Sequence, residues 1–303
     1  MIAVMGASGN TGSGVAEALL TRGVQVRAIG RSREKLEPLI SRGAQAAIGD
    51  ASDEDFLAGA LRGAHAAYVL LTADPGARDY RAAQDAIGES IVGALRSSAV
   101  RRVVALSSIG ADKDRRTGVI AGLRAQEERL RSLTDVDLWL LRPASFFENF
   151  SAQIAQAAQE GYLAGAIDAN LPIPMVAARD VSQAATGALL DDQWSGVMIQ
   201  ELLGPRDITH VEIAGAVAKT LGVGHMRYAQ LPYEAMAALL EAFGASPSFA
   251  QCYVEMAHAI NERSVGPLRG RTPENTTGTT FEAFVRELTN RQTSAGDFAE
   301  HVT

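Results

Sequence analysis

The residues best placed to do chemistry are three glycines, Gly6, Gly9 and Gly12, in the run Gly6-Ala7-Ser8-Gly9-Asn10-Thr11-Gly12 directly after the apolar stretch Ile2-Ala3-Val4-Met5. Glycines at a strand end let the backbone turn tightly and approach a pyrophosphate with no Cβ in the way, while the helix that follows aims its unpaired N–H groups and positive dipole end at that charge. Glycine triples are cheap in a chain that has 29 glycines, so the setting decides their meaning. A strand precedes this triple, Val15, Leu19 and Leu20 share one helix face after it, and a second apolar strand, Val24 to Ile29, follows. The loop predicts a dinucleotide site, with Ser8, Asn10 and Thr11 among its contacts. The alternative is an ordinary strand-to-helix turn.

The end of the second strand bears on which dinucleotide fits. A carboxylate there would accept hydrogen bonds from a free ribose 2′-hydroxyl. The chain instead reads Gly30-Arg31-Ser32-Arg33, which offers guanidinium groups and a hydroxyl to a 2′-phosphate. NADP(H) is favoured over NAD(H) on that ground, unless Arg31 and Arg33 are simply a solvated loop. Asp50 follows the third strand, where a carboxylate can accept from the exocyclic amine of an adenine; it could instead cap the next helix, a role open equally to Asp53.

The elements that must position these residues alternate. Helix Glu34 to Ser41, strand Ala44 to Ile48, helix Asp53 to Leu61, strand Ala67 to Leu71, helix Asp79 to Ser98, strand Val103 to Ser107, helix Val119 to Leu133 and strand Leu138 to Leu141 predict a parallel sheet with crossover helices. The fold class read from this pattern is α/β, a doubly wound Rossmann sheet. Ligands cross the carboxyl ends of such strands, which brings Thr72, Ser107, Ser108 and the turn after Arg142 into view. A nucleotide-binding unit over residues 1–148 and a smaller, mostly helical substrate lobe over 149–303 follow, with residues of about 173–203 returning to the sheet. In the lobe, Thr209 with Glu212 and Thr279 with Glu282 read as capping boxes. Met236, Leu239, Leu240 and Phe243 repeat at helical spacing, Phe281, Phe284, Val285 and Leu288 form a final amphipathic helix, and an irregular polar tail is expected from Gln292.

Composition bounds the rest. The hydrophobic set is 47% and charged residues 21%, which fits a globular chain rather than a disordered or membrane-embedded one. A net charge of −7 without a basic block argues against a nucleic-acid surface. A sheet strand at Ile2 leaves no room for a signal peptide and no apolar run approaches a membrane span, so a cytoplasmic location is expected. Cys252 is the single cysteine and reads as a helix-face or core thiol. The histidines at 65, 210, 225, 258 and 301 lack ligand spacing, so no metal site is expected. Nothing in the sequence sets the oligomeric state.

The G-x-x-G-x-x-G loop, Leu-Ser-Ser-Ile-Gly at 106–110, Leu-Leu-Arg-Pro-Ala-Ser-Phe-Phe-Glu-Asn-Phe at 140–150 and Ile-Pro-Met-Val-Ala-Ala-Arg-Asp-Val at 173–181 occur in that order. Together they resemble the NmrA-like family of atypical short-chain dehydrogenases, which includes NADPH-dependent quinone and azo-type reductases, relatives of the plant isoflavone reductases, and non-catalytic NADP-sensing regulators. The resemblance implies that Gly6, Gly9, Gly12 and Arg31 bind the cofactor and that the turn from Pro143 through Phe146 to Phe147 walls the nicotinamide. It also implies a Tyr-x-x-x-Lys pair on the helix after the serine-bearing strand, and here the chain departs from it. That helix has no tyrosine; the matching register puts Ile120 at the tyrosine position and Arg124 at the lysine position. Arg124 can hold ribose hydroxyls or an oxyanion but cannot give up a proton at neutral pH. Ser108 matches the superfamily serine, or else caps backbone at a strand end.

A missing general acid, worth roughly 10²- to 10⁴-fold, penalises reduction of a simple ketone. A conjugated acceptor suffers less, because hydride addition gives a delocalised anion that takes its proton from water. The expected function is reduction of a small quinone, enone or azo-type acceptor, stacked on Phe146, Phe147 and Met175, with the alternative that these are core residues. The same absence suits a second class of function, a non-catalytic NADP(H) sensor.

Overall fold

The computed structural model describes residues 1–114 and 116–300. In chain order the elements are β1 (Ile2–Val4), α1 (Asn10–Thr21), β2 (Val26–Gly30), α2 (Arg33–Ile40), β3 (Gln45–Ile48), α3 (Glu54–Leu61), β4 (Ala66–Val69), α4 (Tyr80–Arg96), β5 (Arg102–Leu106), α5 (Val119–Arg131), β6 (Asp137–Pro143) and β7 (Ser145–Phe146). A 3₁₀ turn over Phe147–Phe150 leads into α6 (Ser151–Glu160), β8 (Tyr162–Gly165), β9 (Ile173–Val176), α7 (Ala178–Leu190), β10 (Val197–Leu202), β11 (Asp207–Ile208), α8 (His210–Leu221), β12 (Arg227–Gln230), α9 (Tyr233–Ala242), α10 (Pro247–Asn261) and α11 (Phe281–Glu300).

Seven strands form one sheet in the order β10-β6-β5-β4-β1-β2-β3, and every pairing in it is parallel. The chain runs from β1 outward through β2 and β3, then returns to the other side of β1 with β4. That reversal is the topological switch point, where a doubly wound sheet opens a crevice beyond its strand ends. Strands buried on both faces need apolar residues throughout, which is why β1 and β4 read Ile-Ala-Val and Ala-Ala-Tyr-Val, buried at every position. Val15, Leu19, Leu36 and Val181 fill the core on one face of the sheet; Leu57, Ile91, Leu95 and Leu130 fill the other.

A third core, with Ile154, Leu163, Ile213, Val217 and Val285, organises the C-terminal lobe around a three-stranded sheet (β11-β9-β7) and a parallel pair (β12-β8). Two helices here, α6 and α10, are absent from the pattern read in the sequence. The Thr209–Glu212 capping box forms, whereas the expected Thr279–Glu282 box does not. Thr280 caps α11 by accepting from the Ala283 N–H at 3.1 Å, because the Thr279 hydroxyl and N–H are both taken by the Asp180 carboxylate, at 2.7 and 3.1 Å. Helix α11 also continues past Gln292, where an irregular tail was expected; residues 301–303 of that tail lie outside the described ones. Among the described residues no helix is long and apolar enough to cross a membrane.

Candidate cofactor and acceptor site

The glycine loop forms the turn that a phosphate needs. Gly6, at φ +59°, accepts from the Gly9 N–H at 2.8 Å, and the Ala7 N–H ties the loop to the end of β2 through Ile29 O at 3.2 Å. A Cβ on Gly12 would lie 2.2 Å from the Gly6 carbonyl oxygen, so this fold of the loop admits no side chain there. Helix α1 has Gly9 as its N-cap and no side chain capping it, which leaves the first-turn N–H groups open to an anion. Ser8, Gly9 and Asn10 are exposed at this mouth, whereas Thr11 is buried. The Thr11 hydroxyl accepts from Tyr68 at 3.0 Å and its carbonyl accepts from Ser182 at 3.0 Å, so its side chain belongs to the packing of α1 rather than to the cofactor mouth.

At the end of β2, Arg31 and Arg33 are exposed and make no hydrogen bond or ion pair among the described residues. The Ser32 hydroxyl, in contrast, is committed to capping α2 through the Lys35 N–H. Asp53 caps α3 by accepting from Phe56 N–H at 3.0 Å, which releases Asp50 from that duty. Asp50 sits exposed beyond β3 and accepts from the N–H and hydroxyl of Ser52, both at 2.9 Å. Those two bonds, and then the Arg31 guanidinium, hold its carboxyl below the usual range. Arg31 and Asp50 thus share one neighbourhood beyond adjacent strands.

Between the strand ends and the C-terminal lobe lies a cavity of about 570 Å³. Ser107, Ser108, Ile109, Pro143 and Phe146 form its floor at the sheet, and Phe150, His210, Tyr228, Phe249 and Tyr253 wall it from the lobe. Among the described residues, no Asp, Glu, Lys or Arg lines it. Two ring pairs stiffen this lining: the His210 and Tyr228 rings lie 4.6 Å apart, and Tyr80 meets Phe249 edge-on at 4.9 Å. His210 is 4% exposed, and burial pushes its pKa down to about 4, so it is neutral at pH 7.

Several residues picked from the sequence stand elsewhere. Arg124 does not line the cavity: its guanidinium donates to the Asp112 carbonyl at 2.8 Å and pairs with Glu128 at 2.9 Å. Helix α5 presents Val119, Ile120 and Leu123 to the cavity, all apolar. Phe147 and Met175 are 3% and 1% exposed and belong to the lobe core, where Phe147 meets Phe281 edge-on at 5.3 Å. Chain alternation turns Phe146 to the cavity and Phe147 away from it. Thr72 is half-buried in the loop after β4 and does not reach the cavity lining.

Ser107 and Ser108 do line the cavity, but their hydroxyls are engaged. Ser108 donates to the Ile109 carbonyl at 2.9 Å, and Ser107 donates at 2.6 Å to Glu127. Glu127 and Arg142 are buried and joined by two bonds, Nε to Oε1 at 2.7 Å and Nη2 to Oε2 at 2.6 Å, a link that raises the Arg142 pKa. This buried network locks the ends of β5 and β6 to α5 beneath the site. Sequence reading missed it, and missed the aromatic part of the lobe wall, although Met236 and Leu240 of the stripe on α9 do line the cavity. The signal for α10 was present: Ser246 caps it, Pro247 begins it, and Phe249, Tyr253, Met256 and Ile260 recur at helical spacing on the cavity side.

A parallel doubly wound sheet with an uncapped glycine loop at its switch point defines a dinucleotide-binding α/β protein. More particularly, the chain belongs to the NAD(P)H-binding family, whose model matches residues 6–192. It is 23% identical over 256 residues to an NAD(P)H azoreductase of Xenophilus azovorans, covering 84% of this chain and 86% of that protein. Its fold is similar to that of an NADPH-dependent quinone oxidoreductase of Escherichia coli complexed with NADPH, at a TM-score of 0.77 and 23% identity, covering 95% of this chain and all of the other. A Citrobacter sp. triphenylmethane reductase complexed with NADP(H) matches at 0.76 with 20% identity over 95% of this chain and 100% of that one.

Proposed function

We propose that this protein is an NADPH-dependent reductase of flat, uncharged, conjugated acceptors of the quinone, enone or azo kind. The observation that carries the reading is the cavity at the strand ends: about 570 Å³, walled by aromatic rings and, among the described residues, lined by no Asp, Glu, Lys or Arg. A charged acceptor would lose its hydration there without a counter-ion in return, whereas a neutral ring system gains burial and stacking. The names of the similar azoreductase and quinone oxidoreductase support the azo and quinone members of this class.

The residues present fit the cofactor. The open N–H groups at the start of α1 would hold a pyrophosphate, Arg31 and Arg33, with no hydrogen bond or ion pair among the described residues, would hold a 2′-phosphate, and Asp50 keeps carboxylate lone pairs that would take an adenine amine. Bound NADPH supplies a hydride. The protein's own part is to orient an acceptor between the Pro143–Phe146 turn and the lobe wall and to exclude water from it. With Ile120 and Leu123 on the cavity side of α5 and Arg124 turned away, this reading draws no tyrosine–lysine pair from α5. A conjugated acceptor tolerates this, since its reduced anion is delocalised and is protonated by water.

The test is NADPH oxidation by purified protein with a panel of naphthoquinones, enones, azo dyes and aliphatic ketones. Turnover with the flat conjugated members and little with the ketones is expected. A preference for ketones would overturn the substrate class. Turnover with none of them, alongside a protein partner retained only in one redox state of NADP(H), would establish the sensor reading instead.

A further inference from the structure

Most polar groups on the cavity wall are already spent on the protein. Ser107 and Ser108 bond inward, Tyr228 donates to the Ile167 carbonyl at 3.0 Å, Gln153 accepts from Ala164 N–H at 2.8 Å, and Gln84 donates to the Val119 carbonyl at 3.3 Å. Two tyrosine hydroxyls, those of Tyr80 and Tyr253, make no hydrogen bond among the described residues. Tyr80 is only 7% exposed, wedged edge-on against Phe249 and close to the Cys252 thiol. Tyr253 is half-buried and opens onto the cavity.

The placement of Tyr253 is built into the crossing of two helices. Gly118 precedes α5 at φ +54°, and a Cβ there would fall 1.8 Å from the Cys252 carbonyl oxygen and 2.9 Å from the Met256 nitrogen. The backbone of α10 therefore lies directly on the start of α5, which only glycine permits. Tyr253 and Met256 enter the cavity from that crossing beside Val119 and Ile120, side chains that offer no hydrogen bond. A hydroxyl held on packed helices, in a site that no charged side chain lines among the described residues, is where a donor to developing negative charge is worth most.

We infer that Tyr253 is a catalytic residue: its hydroxyl donates a hydrogen bond to an oxygen or nitrogen of the bound acceptor and stabilises the negative charge that gathers there on reduction. The inference rests on the reductase reading above and deepens it. The acceptor gains one hydride with its electron pair, NADPH being the reductant and NADP⁺ the product, and water then supplies the proton that completes the reduced acceptor. Tyr253 keeps its own proton throughout, consistent with burial, which pushes its pKa up.

The experiment compares two ligands of similar shape, 2-methyl-1,4-naphthoquinone and 2-methylnaphthalene, titrated into the wild-type protein and Tyr253→Phe with NADP⁺ present so that no reduction occurs. The variant keeps the ring and deletes only an unpartnered hydroxyl, and NADP⁺ affinity reports that the fold is intact. Loss of the hydroxyl should weaken the quinone roughly three- to tenfold, the usual worth of a neutral hydrogen bond, and leave the hydrocarbon unchanged. With NADPH, single-turnover reduction of the quinone should slow roughly 10- to 100-fold. Equal quinone binding and equal rates in the two proteins would overturn the role of Tyr253 while leaving the reductase reading intact. Failure of the wild-type protein to bind either ligand would overturn both.

Discussion

Replacing Arg31 with alanine should remove much of a preference for NADPH over NADH without harming the fold. Arg31 is exposed and makes no hydrogen bond or ion pair among the described residues, so its loss leaves none of their buried groups orphaned. A charge-assisted contact to a 2′-phosphate is worth roughly 1.5 to 3 kcal/mol. Because Arg31 is exposed and screened by solvent, the lower end applies, about 1.5 kcal/mol or roughly tenfold in NADPH affinity. Arg33 is equally free, and the double substitution should lose more than either alone. NADH, which lacks the phosphate, should bind the variants and the wild type alike. Fluorescence titration of both cofactors at two ionic strengths measures this, and the preference should shrink as salt rises. Equal binding of the two cofactors by the wild type, or an Arg31→Ala protein with an unchanged ratio, would refute the reasoning.

Three further outcomes are expected. Glu127→Ala leaves Arg142 charged and unpaired in the interior and should cost about 3 to 5 kcal/mol in urea unfolding; a loss under 1 kcal/mol would show that the buried pair is not what locks β5, β6 and α5 together. His210 has a folded-state pKa of about 4 against an ordinary 6.5, so the unfolded chain takes up a proton that the folded one refuses. Its contribution is full above pH 6.5 and declines as pH falls toward 4, by roughly 3 kcal/mol in all, so stability should depend less on pH over that window in His210→Phe than in the wild type. Phe147→Ala should destabilise by about 3 to 5 kcal/mol as a core truncation, whereas Phe147→Leu should leave acceptor affinity nearly unchanged, which a ring in direct contact with the acceptor would not allow.

The glycine loop and the strand ends proposed to hold the cofactor were legible as a local arrangement because their signals are local. Gly6, Gly9 and Gly12 sit within one turn, Arg31 and Asp50 follow strands that declare themselves by apolar runs, and the alternation of strand and helix fixes which strand ends meet. The cavity proposed for the acceptor is assembled from α5, the Pro143–Phe146 turn, α8, β12 and α10, and no local pattern says which of their residues converge. Side-chain direction was the second obstacle. Phe146 and Phe147 are adjacent and chemically alike, and only the pairing of β7 with β9 decides which one faces the cavity. Arg124 and Thr279 show a third: each sits at a position that suits the expected role, but Asp112 with Glu128, and Asp180, are nearer partners that the sequence does not reveal.

The most direct test of the central claim is a crystal structure with NADP⁺ and 2-methyl-1,4-naphthoquinone bound together. The quinone is expected in the cavity, stacked between the Pro143–Phe146 turn and the aromatic wall of His210, Tyr228 and Tyr253, with the pyrophosphate at the start of α1. A quinone bound outside that cavity, or a cavity that stays closed to it while the dinucleotide is in place, would contradict the account.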